Sequence, residues 1–315
     1  SPEAVVSAHD VSNIYRIPIL LEEQGVSKVL AKEIGFELPD SRPLLEDWIK
    51  MADTVDNLDE IIKIAMVGKY TGLSDSYLSV IKALQHSSYE VNRKLEINWI
   101  ESESLDDKKM AEDPEKYSEA WDVLKNADGI LVPGGFGIRG IEGKIKAAEY
   151  ARINKIPYLG VCLGLQIATI EFCRNVLGME NANSTEFDEN TPQPAVVFMP
   201  EISKTHMGGT MRLGTKPTPF LVEDCKIKRL YGNKTYVDER HRHRYEVNPE
   251  LIEQIESAGL IYVGKDETGQ RCEIMELNDH PYYVGTQYHP EFKSRPGKPS
   301  PPFLGLLMAA AGKEI

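Results

Sequence analysis

Two short segments of this chain hold residue types that could break a bond together. Cys162 stands at the centre of Gly160-Val161-Cys162-Leu163-Gly164, between the apolar run Ile156-Pro157-Tyr158-Leu159 and a helical-looking segment from Leu165 to Leu177. A strand turning sharply into a helix leaves its central residue on a strained bend, and flanking glycines let the two backbones pass closely. The pattern is the G-x-S-x-G elbow with sulfur replacing oxygen. A thiol there meets the unpaired N–H groups and positive end of the helix, which favour thiolate and make Cys162 a candidate nucleophile. A buried structural cysteine at a strand end is the competing reading.

A nucleophile needs a base, and the base needs an orienting group. His289 and Glu291 supply the pair in Gln287-Tyr288-His289-Pro290-Glu291-Phe292, just past the apolar run Tyr282-Tyr283-Val284. In an extended segment residues two apart point the same way, so the carboxylate would lie beside the imidazole and fix its tautomer, with Pro290 stiffening the spacing. His9, His86, His206 and His280 have no comparable neighbour and read as structural or surface residues. Acyl chemistry also needs backbone N–H groups for an oxyanion. Leu163, next after the nucleophile, offers one, and the turn Pro133-Gly134-Gly135-Phe136-Gly137 is a second source unless it is an ordinary strand-to-helix turn.

These residues must be held by a sheet. From Ile61 onward, strand patterns at Ile62–Val67, Leu95–Ile100, Gly129–Val132 and Ile156–Val161 alternate with helices near 76–86, 115–126 and 141–154. That alternation argues for a mostly parallel sheet with helices on both faces. Tyr77, Val80, Ile81 and Leu84 recur at one-face spacing and belong to the core. Short β-rich segments follow the elbow helix, at Ala195–Met199, Gly209–Leu213, Lys234–Val247, Leu260–Gly264, Cys272–Leu277 and Tyr282–Tyr288. Ahead of all this, residues 1 to about 58 contain an apolar-rich stretch, Asn13–Gln24, a break at Glu37-Leu38-Pro39-Asp40 and a charged amphipathic helix, Leu44–Leu58, and read as a lead-in and linker.

Composition narrows the classes. Across 315 residues the formal net charge is −13, which argues against general binding to nucleic acid or anionic membrane. The longest membrane-span candidate, Phe303–Ala311, is too short and is broken by Gly305. The four cysteines, 162, 173, 225 and 272, form no C-x-x-C pair, so no zinc ribbon or redox dithiol is indicated; no metal is expected, and the compartment reads as reducing and cytoplasmic. Cys173, about three helical turns past Cys162 on an apolar helix, reads as core. Gly137–Lys144 and Val67-Gly68-Lys69-Tyr70 both fail as phosphate loops. The basic run Arg240-His241-Arg242-His243-Arg244 lacks interleaved aromatics and reads as a solvated hairpin face or an anion contact.

Taken together, Pro133–Gly137, Gly160–Gln166 and His289-Pro290-Glu291 resemble the class I glutamine amidotransferases. The order Cys, His, then acid differs from α/β-hydrolases, where the acid precedes the histidine. Asn183-Ser184-Thr185-Glu186-Phe187, Met207–Gly214 and Glu239–Asn248 resemble the glutaminase domain of the CTP synthase family, and His9–Pro18 is similar to the tail of that family's synthetase domain. The resemblance spans essentially the whole chain, apart from Pro200–Lys204, which matches no motif. It implies an α/β fold with a mostly parallel central sheet and a mixed β-rich C-terminal portion. Residues 1–58 would be the synthetase tail and linker helix, and 59–315 the glutamine amidotransferase domain.

The same resemblance implies roles. Cys162 would be the nucleophile, His289 the base and later acid, and Glu291 its orienting partner. Gly134 or Gly135 with Leu163 would form the oxyanion hole, while Gln166, Glu186 and Arg244 would hold the amino and carboxylate ends of glutamine beside Gly135 and Leu163. The reaction would release ammonia and glutamate. In the complete enzyme a synthetase domain would use the ammonia to aminate UTP with ATP and magnesium, activated allosterically by GTP, with the Arg212 loop taking part in the coupling. Full-length relatives form homotetramers and filaments. This chain would bind no cofactor, could not make CTP alone, and would be a weak glutaminase. Competing readings are another Cys-elbow amidotransferase, a γ-glutamyl hydrolase, or a catalytically silent assembly or allosteric module.

Overall fold

The computed structural model describes residues 2–39, 43–69, 74–199 and 211–315. Pro200–Lys204, His206, Met207-Gly208-Gly209-Thr210, Asp40 and Tyr70 lie outside the described residues. The chain divides into two compact units, residues 1–61 with 92–94, and residues 62–91 with 95–315. The first unit carries helices Ile17–Glu23, Val26–Ile34 and Pro43–Asp56. Arg16 ties them by ion pairs to Asp53 (2.7 Å) and Asp56 (2.6 Å), and the Asn13 amide also donates to Asp56.

The second unit is built on the strands β1 (Ile61–Gly68), β2 (Lys94–Glu101), β3 (Gly129–Val132), β4 (Tyr158–Val161), β5 (Ala182–Ser184), β6 (Gln193–Phe198), β7 (Arg212–Pro219), β8 (Tyr236–His243), β9 (Tyr245–Val247), β10 (Leu260–Lys265), β11 (Cys272–Leu277) and β12 (Tyr283–Thr286). A seven-stranded sheet runs in the order β10-β11-β12-β4-β3-β1-β2. Its middle is parallel, β1 with β3, β3 with β4 and β4 with β12, while β10, β11 and β12 pair antiparallel. Smaller sheets join β5-β6-β9 and β7-β8.

Parallel strands covered on both sides read as continuous apolar runs, because alternate side chains feed opposite cores. Ile64, Met66, Leu131 and Leu159 pack with helices Leu78–Glu90 and Pro301–Ala310. Ala65, Val67, Ile130, Val132 and Tyr158 pack with helices Ile141–Asn154 and Leu163–Asn175. The expected mostly parallel sheet with helices on both faces is present. Since β1, β3, β4 and β12 point the same way, the residues just past them, Lys69, Gly134, Cys162 and Gln287, emerge along one edge.

Boundaries differ where local chemistry intervenes. The strand expected from Ile156 begins at Tyr158, after Pro157, which has no N–H to give the ladder. The elbow helix starts at Leu163, two residues before the expected Leu165. The expected strand Lys234–Val247 is two strands, β8 and β9, parted at Arg244. The segment around His289 is not extended: β12 stops at Thr286, and Pro290–Lys293 is a 3₁₀ turn, since proline's fixed φ suits the first position of a helical turn.

Candidate active site

Cys162 has φ 52° and ψ −100°, a left-side conformation that costs a non-glycine residue of order 1–3 kcal/mol. Its neighbours make the bend possible. A Cβ on Gly164 would stand 2.2 Å from the carbonyl oxygen of Val132, and one on Gly160 would stand 2.5 Å from the Gly164 backbone, so strand and helix meet at a distance only glycine allows. The Cys162 N–H is tied to the Thr286 carbonyl at 2.6 Å, fixing the elbow against the end of β12. Leu163 opens the helix, and its N–H has no partner within that helix.

The 3₁₀ turn brings His289 Nδ1 to 2.8 Å from Glu291 Oε1, so the pairing expected from an extended segment is reached by a different backbone route. The His289 N–H donates to the Arg240 carbonyl at 2.8 Å, anchoring the turn to β8. Burial alone would push the imidazole down. The negative charge of Cys162, a hydrogen bond to it, and the Glu291 carboxylate outweigh burial and carry His289 up to about 10. At neutral pH the imidazole is therefore protonated, facing the Cys162 sulfur on one side and Glu291 on the other.

Gly134 lies flat against this pair. A Cβ there would come within 2.8 Å of His289 Cε1 and 3.4 Å of Cys162 Cβ. The turn that follows is clamped from two sides: Lys69 Nζ donates to the Phe136 and Gly137 carbonyls, and Glu186 Oε1 accepts the Gly137 N–H at 3.0 Å. Lys69 is buried, and that burial pulls its pKa down.

A cleft beside the thiol brings together the expected Gly135, Cys162, Gln166, Glu186 and Arg244, and adds Phe136, His243 and Tyr245. Arg244 Nε is buried there without a protein partner, and a larger cleft of about 730 Å³ near Glu101 and Arg139 is lined by no cysteine or histidine. Chemistry rather than volume selects the site. Gln166 is oriented within it, because its Nε2 donates to the Tyr245 carbonyl (3.0 Å) and to Gln287 Oε1 (3.1 Å), leaving its own Oε1 to accept. An ammonium group is the natural donor to that oxygen.

The basic run needs correction. Along β8 the side chains alternate: Arg240 and Arg242 are exposed over Phe292 and Phe136, while His241 and His243 are 1% and 3% exposed. It is half a solvated face and half a buried network. The Tyr245 carbonyl can only accept, so His243 Nδ1 donates to it (3.0 Å), and His243 Nε2 accepts from His241 Nδ1 (3.1 Å). Burial pushes His241 down to about 2 and His243 down to about 3. Arg212, at the start of β7, pairs with Glu273 at 2.6 Å rather than reaching the cleft.

Two residues at the site carry no assignment from sequence. Lys69 stands in a segment dismissed as a failed phosphate loop, and Gln287 stands in the histidine motif without a role. Only their position at the ends of β1 and β12, along the edge that carries Cys162, reveals them. Among the other histidines, His86 is buried against Ser294 and His280 against the Ala151 carbonyl, both structural. Among the described residues no helix is long and apolar enough to cross a membrane.

The family model for glutamine amidotransferase class-I matches residues 73–309. CTP synthase 2 of Xenopus laevis is 55% identical over 313 residues, 99% of this chain and 54% of that protein. CTP synthase 2 of Mus musculus is 56% identical, over 99% of this chain and 53% of that protein. The chain thus spans about half the length of the curated relatives it matches. A solved structure, the glutaminase domain of Trypanosoma brucei CTPS with bound acivicin, aligns with a TM-score of 0.74 at 38% identity, covering 81% of this chain and 95% of that one.

Proposed function

The chain belongs to the class-I glutamine amidotransferase family, and we propose that it is the glutamine-hydrolysing part of a CTP synthase, working through Cys162, His289 and Glu291. The observation that carries this reading is the His289 imidazole held between Cys162 and Glu291, beside a cleft that presents a carboxylate, Glu186, and an unpartnered guanidinium nitrogen, Arg244. Free glutamine has an ammonium and a carboxylate to match them. Glu186 and Gln166 Oε1 receive the ammonium, Arg244 the carboxylate, and the side-chain amide is left at the thiolate.

The thiolate attacks the amide carbon, and the oxygen that gains charge is received by the N–H groups of Leu163 and Gly135. The His289 imidazolium gives its proton to the departing nitrogen, so ammonia leaves and a thioester remains. The neutral imidazole then takes a proton from water, which attacks the thioester, and glutamate departs as the thiolate is regenerated. Glu291 holds the imidazole in one tautomer throughout.

In the longer relatives the remaining half is absent from this chain. We assign to it the ATP- and magnesium-dependent amination of UTP by this ammonia, the response to GTP, and the assembly into tetramers and filaments; residues 1–58 would be its tail and the connecting helix. The four free, buried cysteines suit a reducing compartment, and we assign the protein to the cytoplasm.

The test is labelling with a glutamine-mimicking electrophile followed by peptide mass mapping. Modification confined to Cys162 and blocked by excess glutamine is expected. Burial pushes the Cys173 thiol up to about 12 and raises Cys225 and Cys272 as well, so these should stay unlabelled. Labelling spread over all four, or cleavage of γ-glutamyl peptides to glutamate and a free amino acid with no ammonia release from free glutamine, would overturn the assignment. His289→Ala should keep the folded circular dichroism spectrum while turnover falls by about a thousandfold.

A further inference from the structure

The geometry points to Gln287 as a further catalytic residue, a neutral donor that holds the Cys162 sulfur as thiolate alongside His289. The inference rests on Cys162 being the nucleophile. Gln287 follows β12 as Cys162 follows β4, and these strands pair in parallel with Thr286 opposite Val161, so the two residues leave the sheet side by side. The Gln287 N–H is fixed to the Glu273 carbonyl at 2.8 Å. Its side chain, 1% exposed, directs Nε2 at Cys162 Sγ, 3.7 Å away.

Which end of an amide faces the sulfur is decided by the network rather than by density of atoms. The Tyr245 carbonyl can only accept, so the atom of Gln166 beside it is the nitrogen. Both protons of that nitrogen are then spent, on Tyr245 and on Gln287, and the atom of Gln287 that receives one must be its oxygen. The nitrogen is left facing the sulfur. A carbonyl three residues removed from any reacting atom thus orients two amides in sequence, and the second ends on the nucleophile.

The donor differs from His289 in kind. The imidazolium gives up its proton during turnover, whereas a carboxamide does not titrate and stays on the sulfur through every step. When the thioester is hydrolysed the carbon–sulfur bond breaks with its electron pair on sulfur, and the amide meets that charge together with the imidazolium that has just taken a proton from the attacking water. The same relay ties the sulfur to Gln166, whose free oxygen lies in the cleft, so loss of the ammonium contact should reach the thiolate through Gln287.

The experiment compares the parent chain with Gln287→Leu, which keeps size and removes the donor, using chloroacetamide, a small alkylating agent that does not depend on the amino-acid cleft. Removing a donor leaves less thiolate at acid pH but makes each thiolate more nucleophilic. Alkylation of Cys162 in the variant is therefore expected to be about tenfold slower at pH 6 and equal or faster at pH 10. A variant merely distorted would be slower at every pH, and an unchanged profile would remove Gln287 from the chemistry; either result overturns the proposal. In the folded parent, the Gln287 side-chain amide signal in ¹⁵N NMR should shift when Cys162 is alkylated, and an unmoved signal counts equally against it. If the parent itself is not alkylated at Cys162, the assignment of the nucleophile fails instead, and the two failures are separate.

Discussion

His289 and His241 both lie largely out of water, and they differ completely in charge. Burial presses on each, yet His289 is carried up to about 10 while His241 falls to about 2. The difference lies in what the neighbours have left to give. His289 faces the Cys162 sulfur and a Glu291 carboxylate whose Oε1 pairs with it at 2.8 Å and whose Oε2 has no hydrogen-bond partner. His241 also has a carboxylate close by, with Nε2 3.7 Å from Glu273 Oε1, but Arg212 at 2.6 Å and the Thr218 hydroxyl already occupy that carboxylate. Its other neighbour, His243, has its proton committed to the Tyr245 carbonyl. A buried histidine is charged when an unclaimed anion faces it, and among the described residues the sheet edge supplies one to His289.

The largest effect is expected from removing the anion at the active pair. Cys162→Ala should abolish glutaminase turnover by at least about a thousandfold, and His289, followed by NMR, should titrate well below its present value. The same variant should change the pH dependence of stability. A histidine raised from 6.5 to about 10 contributes stability that is fully present below pH 6.5 and is lost as pH rises through 10. Thermal unfolding of the parent between pH 7 and 10 should show this decline, and Cys162→Ala should flatten it. An unchanged slope would mean that the thiolate is not what charges His289.

A second change should make His241 behave more like His289. Arg212→Met frees the Glu273 carboxylate, so His241 should titrate higher, and the loss of a buried partner should cost about 3 kcal/mol in denaturant unfolding. If His241 does not move, Arg212 is not the group that keeps Glu273 occupied. The smallest effect is expected at Glu239, whose carboxyl is pushed by burial from 4.5 to about 7 and accepts from Tyr231 at 3.1 Å. Its raised pKa contributes stability present below pH 4.5 and lost as pH rises through 7. Glu239→Gln should therefore unfold at higher temperature than the parent at pH 8, by about 1 kcal/mol, with little difference at pH 4.5.

Much of the site is legible in the chain itself. Gly160 and Gly164 reveal the elbow because no other residue permits backbones at those distances, and His289 with Glu291 stand out because a base two residues from an acid needs little context. The parallel sheet is equally plain, since strands covered on both faces must be apolar throughout. The path by which Glu291 reaches His289 was not legible. Alternation in an extended strand and a 3₁₀ turn led by Pro290 both bring the pair together, and only the end of β12 at Thr286 chooses between them. Likewise the basic run reads as exposed charge, because a five-residue cluster does not reveal that alternate members face a core.

Residue type and near spacing determined on their own which atoms can do chemistry: a thiol on a glycine-flanked bend, an imidazole beside a carboxylate, a turn rich in glycine. These are local facts, written within a few residues of each other. Only the tertiary structure decided which of the remaining polar residues serve them. Lys69 and Gln287 have nothing in their own neighbourhoods to mark them, and they reach the edge that carries Cys162 because β1, β4 and β12 are parallel and end there. It also decided the charges, since a histidine's proton depends on whether its nearest anion is already taken, and that is settled by packing across more than a hundred residues of chain.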